Sequence, residues 1–163
     1  MIEIYIGLGT NWGKRLQNIH EAIERIKNIV KVERVSSLYL TQPVEVKGGW
    51  FVNCVLKGLT ERDPFFLLEK FLLIEKEMGR KRGEKEKRTI DVDMLFYGDK
   101  VIKDSVLTIP HPRLHQRRFV LVPLVEISPH FIHPVFKKST EELLKTFRVL
   151  RSSSVLFLKT GCM

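Results

Sequence analysis

The run Arg88-Thr89-Ile90-Asp91-Val92-Asp93-Met94-Leu95-Phe96 constrains this chain most: it reads as a β-strand, yet it carries two acidic residues among apolar and β-branched ones. Strand side chains alternate between faces, so Asp91 and Asp93 project the same way, about 7 Å apart. Ile90, Val92, Met94 and Phe96 then form the opposite row, against the core. Two carboxylates held this close repel each other unless a cation intervenes, and oxygen-only ligands suit a hard divalent ion such as magnesium. Taken alone, Asp-x-Asp reads more readily as a polar row facing solvent. Its neighbourhood overturns that reading.

Immediately upstream lies Gly79-Arg80-Lys81-Arg82-Gly83-Glu84-Lys85-Glu86-Lys87-Arg88, too polar to pack and bracketed by glycines, hence a loop. Arginine forks match phosphate oxygens bidentately, so a basic loop beside a carboxylate pair suits a polyphosphate bound with its metal. With no apolar anchor, the loop is expected to stay open without ligand and to close over the nucleotide. A second basic cluster follows at His111-Pro112-Arg113-Leu114-His115-Gln116-Arg117-Arg118-Phe119. No Gly-x-x-x-x-Gly-Lys-Ser/Thr occurs, which excludes a Walker-type phosphate loop, and Gly7-x-Gly9 lacks a third spaced glycine.

At 163 residues and 44% hydrophobic, the chain suits one catalytic domain spanning residues 1–163, with no role assigned to the segment from 140 onward. No stretch reaches the ~18 apolar residues of a membrane helix, and no signal-peptide pattern opens the chain, so a cytoplasmic, membrane-free protein is expected. Cys54 and Cys162 form neither a disulfide framework nor a ligand-spaced pair. The net charge of +9 fits anionic substrates, with nucleic acid as the rival partner.

Periodicity predicts a first strand over 2–8, with Gly7, Gly9 and Gly13 marking a turn and Asn11 capping a helix. Leu16, Ile19, Ile23, Ile26 and Val30 form that helix's apolar stripe. Residues 32–40 and 51–59 read as the next strands, and Asp63-Pro64 opens a second helix whose stripe is Phe65, Leu68, Leu72 and Glu75, ending by Gly79. A strand over 89–97, a Gly98-Asp99 turn and a short helix near 119–126 follow. Ser139 and Glu142 form a capping box for a final helix. The order strand, helix, strand, strand, helix, strand is that of a ferredoxin-like α+β core, an antiparallel sheet covered by helices in three α/β/α layers. The run from Ser152 to Leu158 is compatible with an edge strand, an interface segment or a tail.

Together, several motifs resemble the 6-hydroxymethyl-7,8-dihydropterin pyrophosphokinases of folate biosynthesis. They are Gly7-Leu8-Gly9-Thr10-Asn11, Thr41-Gln42-Pro43, Phe51-Val52-Asn53, Arg88-Thr89-Ile90-Asp91-Val92-Asp93, and Pro110-His111-Pro112-Arg113 leading to Arg117 and Phe119. The resemblance runs from Ile2 to about Pro134. It implies transfer of pyrophosphate from ATP to the pterin hydroxymethyl group, giving AMP and the pterin diphosphate, with two magnesium ions held by Asp91 and Asp93. Arg80, Arg82, Arg88, Asp91 and Asp93 are then the catalytic set. Glu75, Arg80, Arg88, Thr108, His111 and Arg117 would serve ATP. Thr41, Gln42, Pro43, Val44, Phe51, Asn53, Asp91 and Phe119 would serve the pterin, with the ring between Phe51 and Phe119. A monomer acting on these two small molecules, and not on nucleic acid, is the implied state.

One departure stands out. Relatives carry Trp-Gly-Pro before the Arg-Thr run, where this chain has Lys85-Glu86-Lys87, so closure here falls to charge or to another aromatic such as Trp50. The competing reading is a basic ferredoxin-like RNA-binding module, which would need an open sheet face bearing aromatics. Against it, the RNA-recognition signature is absent and the Asp pair would repel a phosphate backbone. His115 as a base, and His130 or His133 as ligands, have little support from spacing, and His20 is read as surface.

Overall fold

The computed structural model describes residues 1–43, 48–81, 83, 86–150 and 158–160. The strand β1 (Ile2–Thr10) leads to helix α1 (Arg15–Ile26), then β2 (Lys31–Val35), β3 (Leu38–Thr41) and β4 (Phe51–Thr60). Helix α2 (Pro64–Glu77) and β5 (Asp91–Tyr97) complete the ferredoxin-like unit. In the main sheet the order is β5-β1-β4-β3, with β2 also on β4, and the pairings of β1, β2, β3 and β5 are all antiparallel. This is the expected core.

Two helical layers sandwich the sheet. On one face Ile4, Ile6, Leu8, Val52, Leu56, Val92 and Met94 pack with Ile19, Ile23 and Ile26 of α1 and Leu67, Phe71 and Ile74 of α2. On the other, Tyr5, Val55, Leu95 and Phe96 meet α3 (Arg118–Ile127) and α4 (Thr140–Leu150) through Leu121, Leu124, Leu143 and Phe147. An RNA-recognition platform needs one sheet face open to bases; here α3 and α4 pack on the second face.

Several expectations shift, each for a local reason. Gly7 and Gly9 lie inside β1 rather than in a turn, because β1 pairs through Thr10 with Val52. Asn11 does not cap α1, whose N-cap is Lys14 without a side-chain bond; its amide is spent on the 86–88 segment. Leu16 is 59% exposed, and Ala22 completes the buried stripe of α1. The segment 32–40 is two strands because Ser36 interrupts it. Its amide donates to the Val55 carbonyl while its hydroxyl accepts the Val55 N–H, both at 2.9 Å, so a side chain replaces one ladder partner. The next amide, Ser37, turns away to the Glu126 carboxylate of α3 at 2.7 Å.

The buried stripe of α2 is Leu67, Phe71, Ile74 and Glu75; of the expected stripe Glu75 is buried and Leu68 partly buried, whereas Phe65 and Leu72 are 41% and 54% exposed. Apolar residues surround most of this helix, so periodicity alone does not choose a face. A bulge at Leu95, opposite the Tyr5–Ile6 step, puts Phe96 on the α3 side instead of in the Val92–Met94 row. A hairpin of β6 (Ile102–Lys103) and β7 (Thr108–Ile109) and a short 3-10 turn at Leu114–Gln116 went unforeseen. The capping box is present: Glu142 N–H donates to Ser139 Oγ at 3.1 Å and Ser139 N–H to Glu142 Oε2 at 3.2 Å. Of the run from Ser152 to Leu158, residues 152–157 lie outside the described residues; its last residue, Leu158, begins β8 (Leu158–Thr160), which pairs with β3.

Candidate active site

The site begins with two missing side chains. Tyr5, Gly7 and Gly9 share the β1 face toward α3; Tyr5 fills the core there, whereas the glycines leave the sheet bare. The register aligns Asp91, Gly9 and Asn53 in one cross-strand row and Asp93, Gly7 and Val55 in the next. Two strand spacings of ~4.8 Å place Asp91 and Asn53 about 10 Å apart across the glycine floor. A Cβ on Gly9 would lie 2.8 Å from Asn53 Oδ1 and 3.5 Å from Phe51 Cδ1, so glycine is what lets these two sit over the strand. The result is a cavity of about 380 Å³ at the N-terminal end of α3.

Asn53, Phe51, Gln42 and Phe119 line one part of it. The Asn53 amide is 4% exposed and donates to Thr41 Oγ1 at 2.6 Å, while no described residue donates to its Oδ1. The Arg117 guanidinium lies 5.5 Å from the Phe119 ring centre. Asp91, Asp93, Arg80, Arg88, His111, Arg113 and Arg117 line the rest. His111 is set there by its N–H bond to the Leu95 carbonyl, at 3.0 Å.

Arginines neutralise the carboxylate pair. Arg80 Nη1 lies 2.6 Å from Asp91 Oδ1, Arg88 Nη1 is 3.2 Å from both Asp91 oxygens, and Arg117 Nη1 is 3.8 Å from Asp93 Oδ2. Burial nevertheless raises the Asp91 pKa, with Arg80 opposing and Asp93 adding to the rise. Under this wall sits Glu75, 7% exposed, whose Oε2 accepts from Val92 N–H at 2.8 Å and from Arg80 Nη1 at 3.0 Å. Burial pushes its pKa up to about 7 despite both donors.

Helix α2 ends so as to present Arg80. Gly79, with φ of +95°, lets its own N–H reach the Lys76 carbonyl and the Arg80 N–H reach the Glu75 carbonyl, a Schellman closure. At the far root of the loop, Asn11 Nδ2 donates to the Glu86 carbonyl at 2.8 Å and Oδ1 accepts the Arg88 N–H at 2.6 Å. Lys87 Nζ lies 4.5 Å from the Trp12 ring centre, so Trp12 is an aromatic that meets the described part of this loop; the carbonyl of Trp50 accepts from Arg15 Nη1.

The structure therefore gathers Gln42, Phe51, Asn53, Arg80, Arg88, Asp91, Asp93, His111, Arg117 and Phe119 at one cavity. Thr41 is buried behind Asn53, Glu75 lies beneath the wall, and neither Pro43 nor the exposed Thr108 lines the cavity. Val44 and Arg82 lie outside the described residues. Sequence alone puts Arg113 in a basic cluster without a role at the cavity and reads Gly7 and Gly9 as part of a turn; strand register is the signal that exposes the glycine floor. His20 is exposed, as expected from sequence. His133 is 3% exposed and its Nδ1 accepts the N–H groups of Val135 and Phe136, a turn-holding role. His115 stacks edge-on against Phe136 rather than lining the cavity.

Among the described residues, no group of three or more His, Cys, Asp or Glu side chains could hold a metal by itself, and no helix is long and apolar enough to cross a membrane. Two carboxylates suit magnesium bound together with substrate phosphates, since that ion keeps few protein ligands. Residues 5–129 match the model of the 7,8-dihydro-6-hydroxymethylpterin-pyrophosphokinase (HPPK) family. The chain is 41% identical over 144 residues to the 2-amino-4-hydroxy-6-hydroxymethyldihydropteridine pyrophosphokinase of Aquifex aeolicus, covering 87% of this chain and 90% of that protein. The Haemophilus influenzae protein of the same name is 38% identical over 151 residues, covering 90% and 94%. The solved Plasmodium falciparum HPPK-DHPS with pteroate shares the fold, with a TM-score of 0.73 at 16% identity. That likeness covers 90% of this chain but 42% of the Plasmodium one.

Proposed function

Because the chain belongs to the 7,8-dihydro-6-hydroxymethylpterin-pyrophosphokinase family, a family of folate biosynthesis, we propose that it moves pyrophosphate from ATP to the hydroxymethyl group of 6-hydroxymethyl-7,8-dihydropterin. AMP and the pterin diphosphate are the products. The observation that carries the substrate reading is the division of one cavity into an aromatic-and-amide part and an acid-and-arginine part, joined across a bare glycine floor.

Asn53 offers the N–H groups on the edge of a flat heterocycle a carbonyl oxygen to which no described residue donates, and Phe51 and Phe119 supply ring faces for it. Asp91 and Asp93 would hold two magnesium ions, which neutralise phosphate charge and ease loss of the hydroxyl proton when bound. Arg80, Arg88, His111, Arg113 and Arg117 bind the phosphate chain and orient it toward the pterin side. In phosphoryl transfer the charge spreads over the moving group's oxygens, so fixed cations lower the barrier without a nucleophilic side chain. Asn11 and Trp12 hold the root of the arginine loop against the cavity rim. The protein works in the cytoplasm as a monomer under this reading.

Incubation with ATP, magnesium and the hydroxymethyl-dihydropterin, followed by nucleotide analysis, tests the function. AMP should appear in step with pterin diphosphate. Formation of ADP, or AMP without pterin dependence, would contradict it.

A further inference from the structure

We propose that Arg80 is a resident cation on the metal-binding carboxylate, displaced by the incoming divalent ion and thereby released onto the phosphate chain. The proposal rests on Asp91 being a metal ligand, as assigned above. A single nitrogen, Arg80 Nη1, lies between two carboxylate oxygens, 2.6 Å from Asp91 Oδ1 and 3.0 Å from Glu75 Oε2. That is the bridging place a small cation would take.

The two occupants exclude each other. A magnesium ion coordinates oxygen at about 2.1 Å, and a guanidinium left at hydrogen-bond distance from the same oxygen would face it as a like charge across a short gap. Arg88 already lies 3.2 Å from each Asp91 oxygen, so Asp91 has no uncommitted oxygen to offer without a rearrangement. Arg80 is the one fitted to move, since its backbone is tied to α2 by the Glu75 carbonyl while its side chain sits in the cavity rim, 27% exposed. Phosphate oxygens arriving with the metal are the new anions within its reach. Glu75 stays behind, fixed by Val92 N–H between the two aspartates, as the anchor to which Arg80 returns. The phosphate clamp is thus armed only when metal and nucleotide are both present.

Manganese(II), followed by loss of its free-ion EPR signal, tests this on the full chain. Arg80→Met keeps the stem and removes the charge. Without nucleotide it should bind manganese about fivefold more tightly than the parent, the effect of removing a partly exposed competing ion pair. Arg62→Met removes an exposed arginine that lies over the Phe66 ring and does not line the cavity, and it should change the affinity less than about twofold, since its contribution is screened. With a non-hydrolysable ATP analogue present the order should invert, Arg80→Met holding the manganese–nucleotide pair more weakly than the parent. Equal tightening in both arginine variants would reduce the effect to net charge and overturn the exchange, as would an unchanged affinity in Arg80→Met. Thermal melts check folding, and Arg80→Gln replaces Arg80→Met if the latter melts early. Asp91→Asn is the separate arm: retained manganese binding there sinks the metal assignment itself, whereas lost binding with no arginine effect sinks only the exchange.

Discussion

At the scale of single residues, Gly9 does what no side chain could. Its Cβ, if present, would overlap the Asn53 amide, so Gly9→Ala should displace that amide and leave a pterin-edge partner unmet. An unmet buried partner costs ~1–3 kcal/mol, so pterin affinity should fall about tenfold or more. Affinity for an ATP analogue should stay within about twofold; calorimetry with each ligand alone separates the two, and equal losses would point to a disturbed fold. Asp91→Asn and Asp93→Asn should each lower turnover by about a hundredfold or more, the scale of losing transition-state charge stabilisation. Their circular dichroism should match the parent, because both carboxylates lie at the cavity and neither belongs to the core clusters. Turnover near the parental rate would remove these aspartates from the chemistry.

Elements place these residues through their ends and interruptions more than through their middles. The Schellman turn after α2 presents Arg80, the Ser36 break ties the sheet to α3, and the Leu95 bulge moves Phe96 into the aromatic cluster under α3 and α4. The connector between α3 and α4 depends on neutral His133, whose ring stacks on Phe136 and meets Phe96 edge-on. Burial, then the nearby His115, depresses its pKa to about 4, so the unfolded chain takes up a proton at higher pH than the folded one does. Stability from this group is therefore complete above about pH 6.5 and drains away as pH falls toward 4, by ~3 kcal/mol in all. His133→Asn keeps an acceptor near Nδ1 and does not titrate. Urea titrations at several pH values should show its stability relative to the parent rising as pH falls through that window. A constant difference would mean that His133 contributes packing alone.

At the scale of the whole molecule, helices cover both sheet faces among the described residues and Gly7 and Gly9 hollow the α3 side, so under the proposed function one cavity serves both substrates. Ligands that bind only the folded state raise its stability, by ~2.7 kcal/mol at a hundred times Kd. Under the proposed exchange, in which the metal–nucleotide frees Arg80 from Asp91 and completes the wall beside the pterin part, the two ligands should stabilise more together than the sum of their separate effects. Melting curves with magnesium and an ATP analogue, with pterin, and with both would show it; simple additivity would mean the two parts of the cavity act independently.

What the sequence determined by itself was whatever local pattern controls. The Asp91–Asp93 pair on one strand face and the capping box at Ser139 follow from side-chain alternation and cap chemistry and hold in the structure, and the βαββαβ order, which follows from hydrophobic period, holds with its second strand split at Ser36. Motif order likewise led to Phe51, Asn53, His111, Arg117 and Phe119, although these come from three separate segments: β4, the loop before the 3-10 turn and the start of α3. Pairing register decided the rest. Only the alignment of Gly9 between Asp91 and Asn53 turns two glycines into a cavity floor, and only packing against β5 selects Leu67, Phe71 and Ile74 over the equally periodic Phe65, Leu68 and Leu72. The placement of Arg80 between Glu75 and Asp91 joins residues up to sixteen positions apart, roughly the span of a helix end, a loop and a strand start. Such contacts depend on how elements dock, and docking is set by the whole core at once, a global quantity that no local window of sequence contains.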